Sequence, residues 1–202
     1  MDALPKYLPA DERRAATVEA VVDLAANQNP AEITTAAIAK RMGLTQGALF
    51  RHFPTKDSIL EAVMGWVSER LLARVDAARD AAASPIAALE AVFLAHIDFV
   101  ASHPGVPRML FGELQRAGDT LPKKAVQILI RNYSVRVVSL LEQARQAGEV
   151  AESVDLAAAA VQFIGSIQGL VIQATLEGQP ERMRERAPAI FALYRRGIEV
   201  RS

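Results

Sequence analysis

Apolar residues recur along this chain every three or four positions in nearly every segment, and nowhere do they alternate with polar ones for long. That period belongs to helices that bury one face, so the chain reads as all-α, with about nine helices. Alanine is abundant and aromatic residues are 5% of the chain, which suits helices better than strands. A first helix is expected from about Pro9 to Gln28, with Asp11 and Glu12 in its first turn and Ala15, Val18, Val22 and Ala25 facing inward. Two short helices, about Thr35 to Met42 and Thr45 to Phe53, precede a long one from Thr55 to about Ala82. A fifth opens at Ser84-Pro85, with Phe93 and Ile97 on its inner stripe. A sixth covers about Val106 to Ala117, and a seventh reaches about Ala147. An eighth, capped by Ser153 or Asp155, runs to about Leu176, and a ninth reaches about Arg196.

The bulk numbers exclude several classes of protein. There is no cysteine, which removes disulfide frameworks, thiolate metal sites and thiol catalysis, and makes a cytoplasmic protein the expectation. The segment MDALPKYLPADERR lacks the basic-then-apolar order of a secretory signal. The three histidines are scattered, no paired-carboxylate spacing or phosphate-cradling glycine loop occurs, and neither catalysis, a metal nor a cofactor is expected. Net charge is zero, yet the charges are not spread evenly. Ile33 to Lys56 holds Lys40, Arg41, Arg51 and Lys56 and no acid, the footprint of a small basic face.

That basic stretch, ITTAAIAKRMGLTQGALFRHFPTK, meets the needs of a helix-turn-helix: a small residue where two helices cross, a tight turn, and a shared apolar wedge. Ala39 is the small residue, Gly43 serves the turn, and Ile38, Met42, Leu44, Leu49 and Phe53 form the wedge. Thr45 caps the second helix, so Gln46, Gly47 and Ala48 form the first turn of a recognition helix, the part that reaches base edges in a major groove. The Gln46 amide matches the donor and acceptor of adenine, Ala48 suits a thymine methyl, and Gly47 lets the backbone come close. Thr35, Arg51, His52 and Lys56 sit at helix ends and suit phosphates.

Residues 33–63 resemble the DNA-binding signature of the TetR family of transcriptional regulators: Thr34 to Ala39 reads T-x-x-x-I-A, followed by Gly43, Leu49, His52-Phe53 and Lys56. Members generally carry a phosphate-contacting tyrosine two places before that histidine; Phe50 stands there in this chain, so the resemblance implies one backbone contact fewer unless Arg51 supplies it. The resemblance implies a helix-turn-helix domain over residues 1–56 and a helical ligand-binding and dimerisation domain over 57–202, with the last two helices of two subunits forming a four-helix bundle. It also implies the partners: double-stranded operator DNA, a second copy of the chain and a small-molecule effector. The expected function is a repressor released from its operator by a small hydrophobic or aromatic effector.

The residues beyond 57 support that division on their own terms. From Leu156 to Leu176 there is not one charge, so this helix is buried on most faces or lies in a membrane. Its glutamines and Ser166 interrupt the apolar run and favour a helix packed on its own domain and on a twin, with Ile164, Gly165, Gly169, Ile190 and Tyr194 at the dimer interface. A membrane-associated or adaptor role for the C-terminal part is the competing reading. Trp66, Phe93, His96, Phe99, Phe111, Tyr133, Phe163 and Gln168, large or polar-tipped and on inward stripes, are the candidate effector contacts. Plain core packing competes for each of them.

Overall fold

The structure is a computed structural model that describes residues 9–200. Nine α-helices are present among the described residues: α1 (Ala10–Asn27), α2 (Thr35–Arg41), α3 (Gln46–Phe50), α4 (Lys56–Asp80), α5 (Pro85–Ser102), α6 (Gly105–Gln115), α7 (Leu121–Gln146), α8 (Leu156–Glu177) and α9 (Arg182–Ile198). A 3-10 turn, Pro30–Glu32, lies between α1 and α2, and the pairing of Val150 with Glu199 is an isolated bridge. The all-α expectation therefore holds, and the helices begin and end within a few residues of where the apolar period places them.

Local chemistry accounts for the boundaries. Thr34, Thr45 and Asp155 cap α2, α3 and α8: each side-chain oxygen accepts from backbone N–H groups two or three residues on, at 2.9–3.2 Å. Such caps contribute about 1 kcal/mol each relative to alanine. Between α2 and α3, Gly43 takes φ +67°, a left-handed conformation that a Cβ opposes.

The chain divides into two compact units. The first runs to Glu69 and resumes over His103–Ile128; the second comprises Arg70–Ser102 and the chain from Leu129 onward. α4 and α7 thus give one end to each unit. These packing units cut across the functional division expected at residues 56 and 57, because α6 and the start of α7 pack with the N-terminal helices.

In the first unit, α1 lies against α6 and α2. Its core holds Val21, Ala25, Ile33, Ile38, Leu49, Phe53, Ile59, Val63 and Met109. Gly105 is essential to the α1–α6 contact: a Cβ there would stand 2.6 Å from the backbone of Ala25 and Ala26. In the second unit α5, α8 and α9 pack together around Leu89, Phe93, Ile97, Val137, Leu141, Phe163, Ile167 and Phe191. Two helices, α5 and α8, are long and apolar enough to cross a membrane. In this fold, however, Phe163, Ile167, Leu170, Val171 and Ala174 give α8 a buried face of its own.

Candidate DNA-binding surface and helical core

The short helix α3 presents its first turn outward, because Leu49 and Phe53 are drawn into the wedge with Ile38 and leave the opposite face free. Gln46, Gly47, Phe50 and Arg51 are exposed, and Thr35, Ala48, His52 and Lys56 are half-buried. Thr45 is occupied as the cap of α3. Gln46 and Thr35 meet: the Gln46 side-chain amide donates to the Thr35 hydroxyl at 3.1 Å. Arg51 has no ion-pair partner among the described residues. Lys56 reaches back toward the carbonyl of Ala31, a long contact of 3.5 Å.

Two cations on α1 that sequence spacing did not single out complete this face. Arg13 stands 3.3 Å from Nε2 of His52, and Arg14 donates to the His52 carbonyl at 2.9 Å. The Arg14 guanidinium also lies over the Phe53 ring, 4.4 Å from its centre, a cation–π contact. An arginine can only donate, so where Arg13 and His52 bond it is Nε2 of His52 that accepts. Nothing local in the sequence ties residue 13 to residue 52; the α1 packing does. Arg41, by contrast, is held by Asp23 at 3.0 Å.

Also in the first unit, a cleft of about 360 Å³ is lined by Lys56, Asp57, Leu60, Arg108, Met109 and Arg116, among others. Arg116 bridges Asp57 and Glu113 there, each at 3.0 Å, which fixes the first turn of α4 against α6. The hydrogen bond that Arg116 donates to Asp57 is the chief cause that raises the Arg116 pKa.

The eight candidate effector residues divide between the units. Trp66 and Phe111 belong to the first, where Trp66 meets His103 edge-on at 5.5 Å. Phe93, His96, Phe99, Tyr133, Phe163 and Gln168 belong to the second. Phe93, Phe163 and Phe191 form an aromatic cluster with ring centres 5.3–6.5 Å apart, and His96 meets Tyr133 edge-on at 5.0 Å. Nδ1 of His96 and the hydroxyls of Tyr133 and Tyr194 are buried and have no hydrogen-bond partner. Burial pushes the His96 pKa down to about 4 and the two phenols well above their ordinary range.

The expected interface residues are placed unevenly. Gly165 and Gly169 are exposed on α8, with nothing within 4 Å of where a Cβ would stand. Ile164 and Ile190 are half-buried. Tyr194 is turned inward, 3% exposed and packed on Phe163 and Phe191, so within this subunit it serves the core. The outward apolar residues are Val161, Ile172 and Leu176 on α8, one turn or two from the glycines, and Leu193 on α9. Sequence periodicity missed them because α8 is apolar on both faces, and period alone does not say which face is turned out. Around the core, Asp98 joins Arg74 of α4 and Arg184 of α9, the latter at 2.7 Å; the Arg184 hydrogen bond leads the lowering of its pKa. Asp76 likewise takes Arg136 of α7 at 3.0 Å.

Comparison with known proteins agrees with this geometry. Residues 17–63 match the family described as bacterial regulatory proteins, tetR family, and residues 113–190 match the tetracyclin repressor-like C-terminal domain. The nucleoid occlusion factor SlmA of Marinobacter nauticus is 30% identical over 139 residues, which are 68% of this chain and 69% of that protein. The fold is shared with the transcriptional regulator FadR from Bacillus subtilis, solved in complex with stearoyl-CoA: TM-score 0.81, 19% identity, 92% of this chain and 99% of that one. It is shared too with the ketosteroid transcriptional regulator KstR2 of Mycobacterium tuberculosis: TM-score 0.77, 18% identity, 99% of this chain and 100% of that one.

Proposed function

Since the chain belongs to the TetR family of DNA-binding transcriptional regulators, we propose that it binds operator duplex as a homodimer and lets go when a small apolar molecule enters its helical core. The family acts by binding DNA rather than by catalysis, and the cytoplasm or nucleoid is where such a protein works. Gln46, Gly47 and Ala48 read base edges. Thr35, Thr45, Arg51, His52 and Lys56 hold the backbone, joined by Arg13 through His52. Phe50, where the family carries a tyrosine, has no hydroxyl for a phosphate and gives apolar contact only.

One observation carries this reading: the first turn of α3 is exposed, capped and free of acids, with Gln46 already poised beside Thr35. The uncharged outer strip of α8, with Gly165 and Gly169 open, supports pairing with a second α8. The unpartnered polar atoms among the aromatic side chains of the second unit support an effector there. α4 runs from the first unit into the second, so a ligand that shifts its far end acts on its near end.

Selecting duplexes from a random pool with the full chain tests the proposal. A two-fold symmetric sequence should be enriched, and its binding should weaken steeply with salt. Recovery of duplexes without enrichment would refute sequence-specific control. The similarity to a nucleoid occlusion factor supports a second reading, in which the chain occupies many chromosomal sites without ligand control. Chromosome-wide occupancy separates the two: a few promoter sites favour the regulator, and dispersed sites favour occlusion.

A further inference from the structure

The second unit holds no buried charged side chain among the described residues; the buried polar side chains, Thr17 and Glu113, are both in the first. Its interior holds instead Phe93, Phe163 and Phe191 and three rings with an unpaired polar atom: Tyr194, packed on Phe163 and Phe191, and His96 and Tyr133, which meet each other. These two sit on different helices, α5 and α7, with ring centres 5.0 Å apart at 72°. Tyr133 is 4% exposed and its hydroxyl is buried. His96 is enclosed at Nδ1, while part of the residue's surface is accessible.

Buried polar atoms in folded proteins are nearly always paired, and an unpaired one opposes folding. Two rings in edge-on contact from separate helices, each with such an atom, have a natural explanation in a third group that pairs with both. Any such group must also suit its surroundings. A carboxylate or ammonium brought here would meet no counter-charge and would lose its hydration. A neutral oxygen suits both atoms: a hydroxyl donates to one nitrogen lone pair and accepts from the phenol, and a carbonyl accepts from both.

We infer that His96 and Tyr133 are a paired polar anchor for the effector, which is an uncharged molecule with one hydroxyl or carbonyl oxygen on a rigid aromatic or alicyclic body. The inference rests on the reading of the second unit as effector domain and narrows it to neutral ligands. The oxygen fixes orientation, and the aromatic cluster takes the body. Tyr133 gives direct contact, so its hydroxyl serves binding at the expense of the empty protein's stability.

Naphthalene, 2-naphthol and 2-naphthoate share one skeleton and differ in the group that would meet the anchor. Calorimetric titration of the full chain, wild type and Tyr133→Phe, tests the assignment. The wild type should bind 2-naphthol roughly tenfold or more tighter than naphthalene, and 2-naphthoate most weakly. Tyr133→Phe should bring 2-naphthol close to naphthalene, while the ligand-free variant melts at the same temperature as wild type or higher. His96→Leu should reduce the naphthol preference in the same sense. Binding of naphthoate in preference to naphthol, no binding of any of the three, or a naphthol preference that survives in Tyr133→Phe would overturn the inference. So would a lower melting temperature for ligand-free Tyr133→Phe, which would mean a bridging water already satisfies the phenol. Operator binding measured on the same samples keeps the two claims apart. Naphthol that binds without releasing DNA counts against the proposed control and not against the anchor.

Discussion

Gln46 donates its amide to Thr35 in the free protein, and an exposed bond of this kind is worth only about 1 kcal/mol net. Swapping it for an adenine edge therefore costs little, and the bond holds the side chain at the exposed start of α3, from which we propose that it reads a base. Lys56 differs: its ammonium offers charge without sequence information. Lys56→Ala should weaken binding to operator and random duplex alike and lower the salt slope by about one, measured by fluorescence anisotropy over a salt series. Arg13→Ala should act in the same direction through His52, which loses its neighbour on Nε2. His96 carries a pH signature. The unfolded chain takes up a proton on it near pH 6.5, whereas the folded protein resists until about pH 4. Stability should thus fall as pH drops through that window, by up to about 3 kcal/mol, an upper bound because part of the ring is accessible. Melting temperatures between about pH 7 and about pH 4.5 should decline in wild type and decline less in His96→Phe. The carboxylates held by arginines, Asp98 and Glu177, lose their contribution only at lower pH, because their folded pKa values are depressed.

At the scale of helices, Gly105 and Gly165 behave in opposite ways. A Cβ at Gly105 meets the Ala25 and Ala26 backbone, which has no rotamer with which to yield, so Gly105→Ala should cost about 1–3 kcal/mol or more in chemical denaturation. A Cβ at Gly165 meets nothing within the subunit, so Gly165→Ala should leave the subunit as stable or more stable by about 1 kcal/mol. Gly165→Leu should shift sedimentation toward monomer without loss of helicity; an unchanged dimer would place the interface elsewhere. Much of this level was legible in the sequence. The caps at Thr45 and at Ser153 or Asp155, the turn residue Gly43 and the apolar period located the helices, because those signals are local; the Thr34 cap of α2 was not read. The capped, exposed first turn of α3 was legible for the same reason. Arg13, Arg14 and Gly105 were not, since their importance arises from contacts with residues many turns away in the chain. Tyr194 was misplaced because an aromatic on a helical stripe is consistent with either an outer or an inner seam.

At the scale of the whole molecule, the zero net charge conceals a division of labour. Cations gather on the face around α3, while some acids elsewhere are held in pairs such as Asp98 with Arg184 and Asp76 with Arg136. A single copy of α3 is five residues long and reads too little sequence to select a site among many. Two copies held about 34–36 Å apart span successive major grooves, which doubles the sequence read and demands a symmetric operator. The central claim, that Gln46 of each of two subunits reads a base, has a direct measurement: the base preference of full-length Gln46→Ala, position by position, on the enriched duplex. The account predicts relaxed discrimination at two symmetry-related positions about one helical turn apart and unchanged preference at the rest. A profile identical to wild type, or one relaxed on a single side of the site, would contradict it.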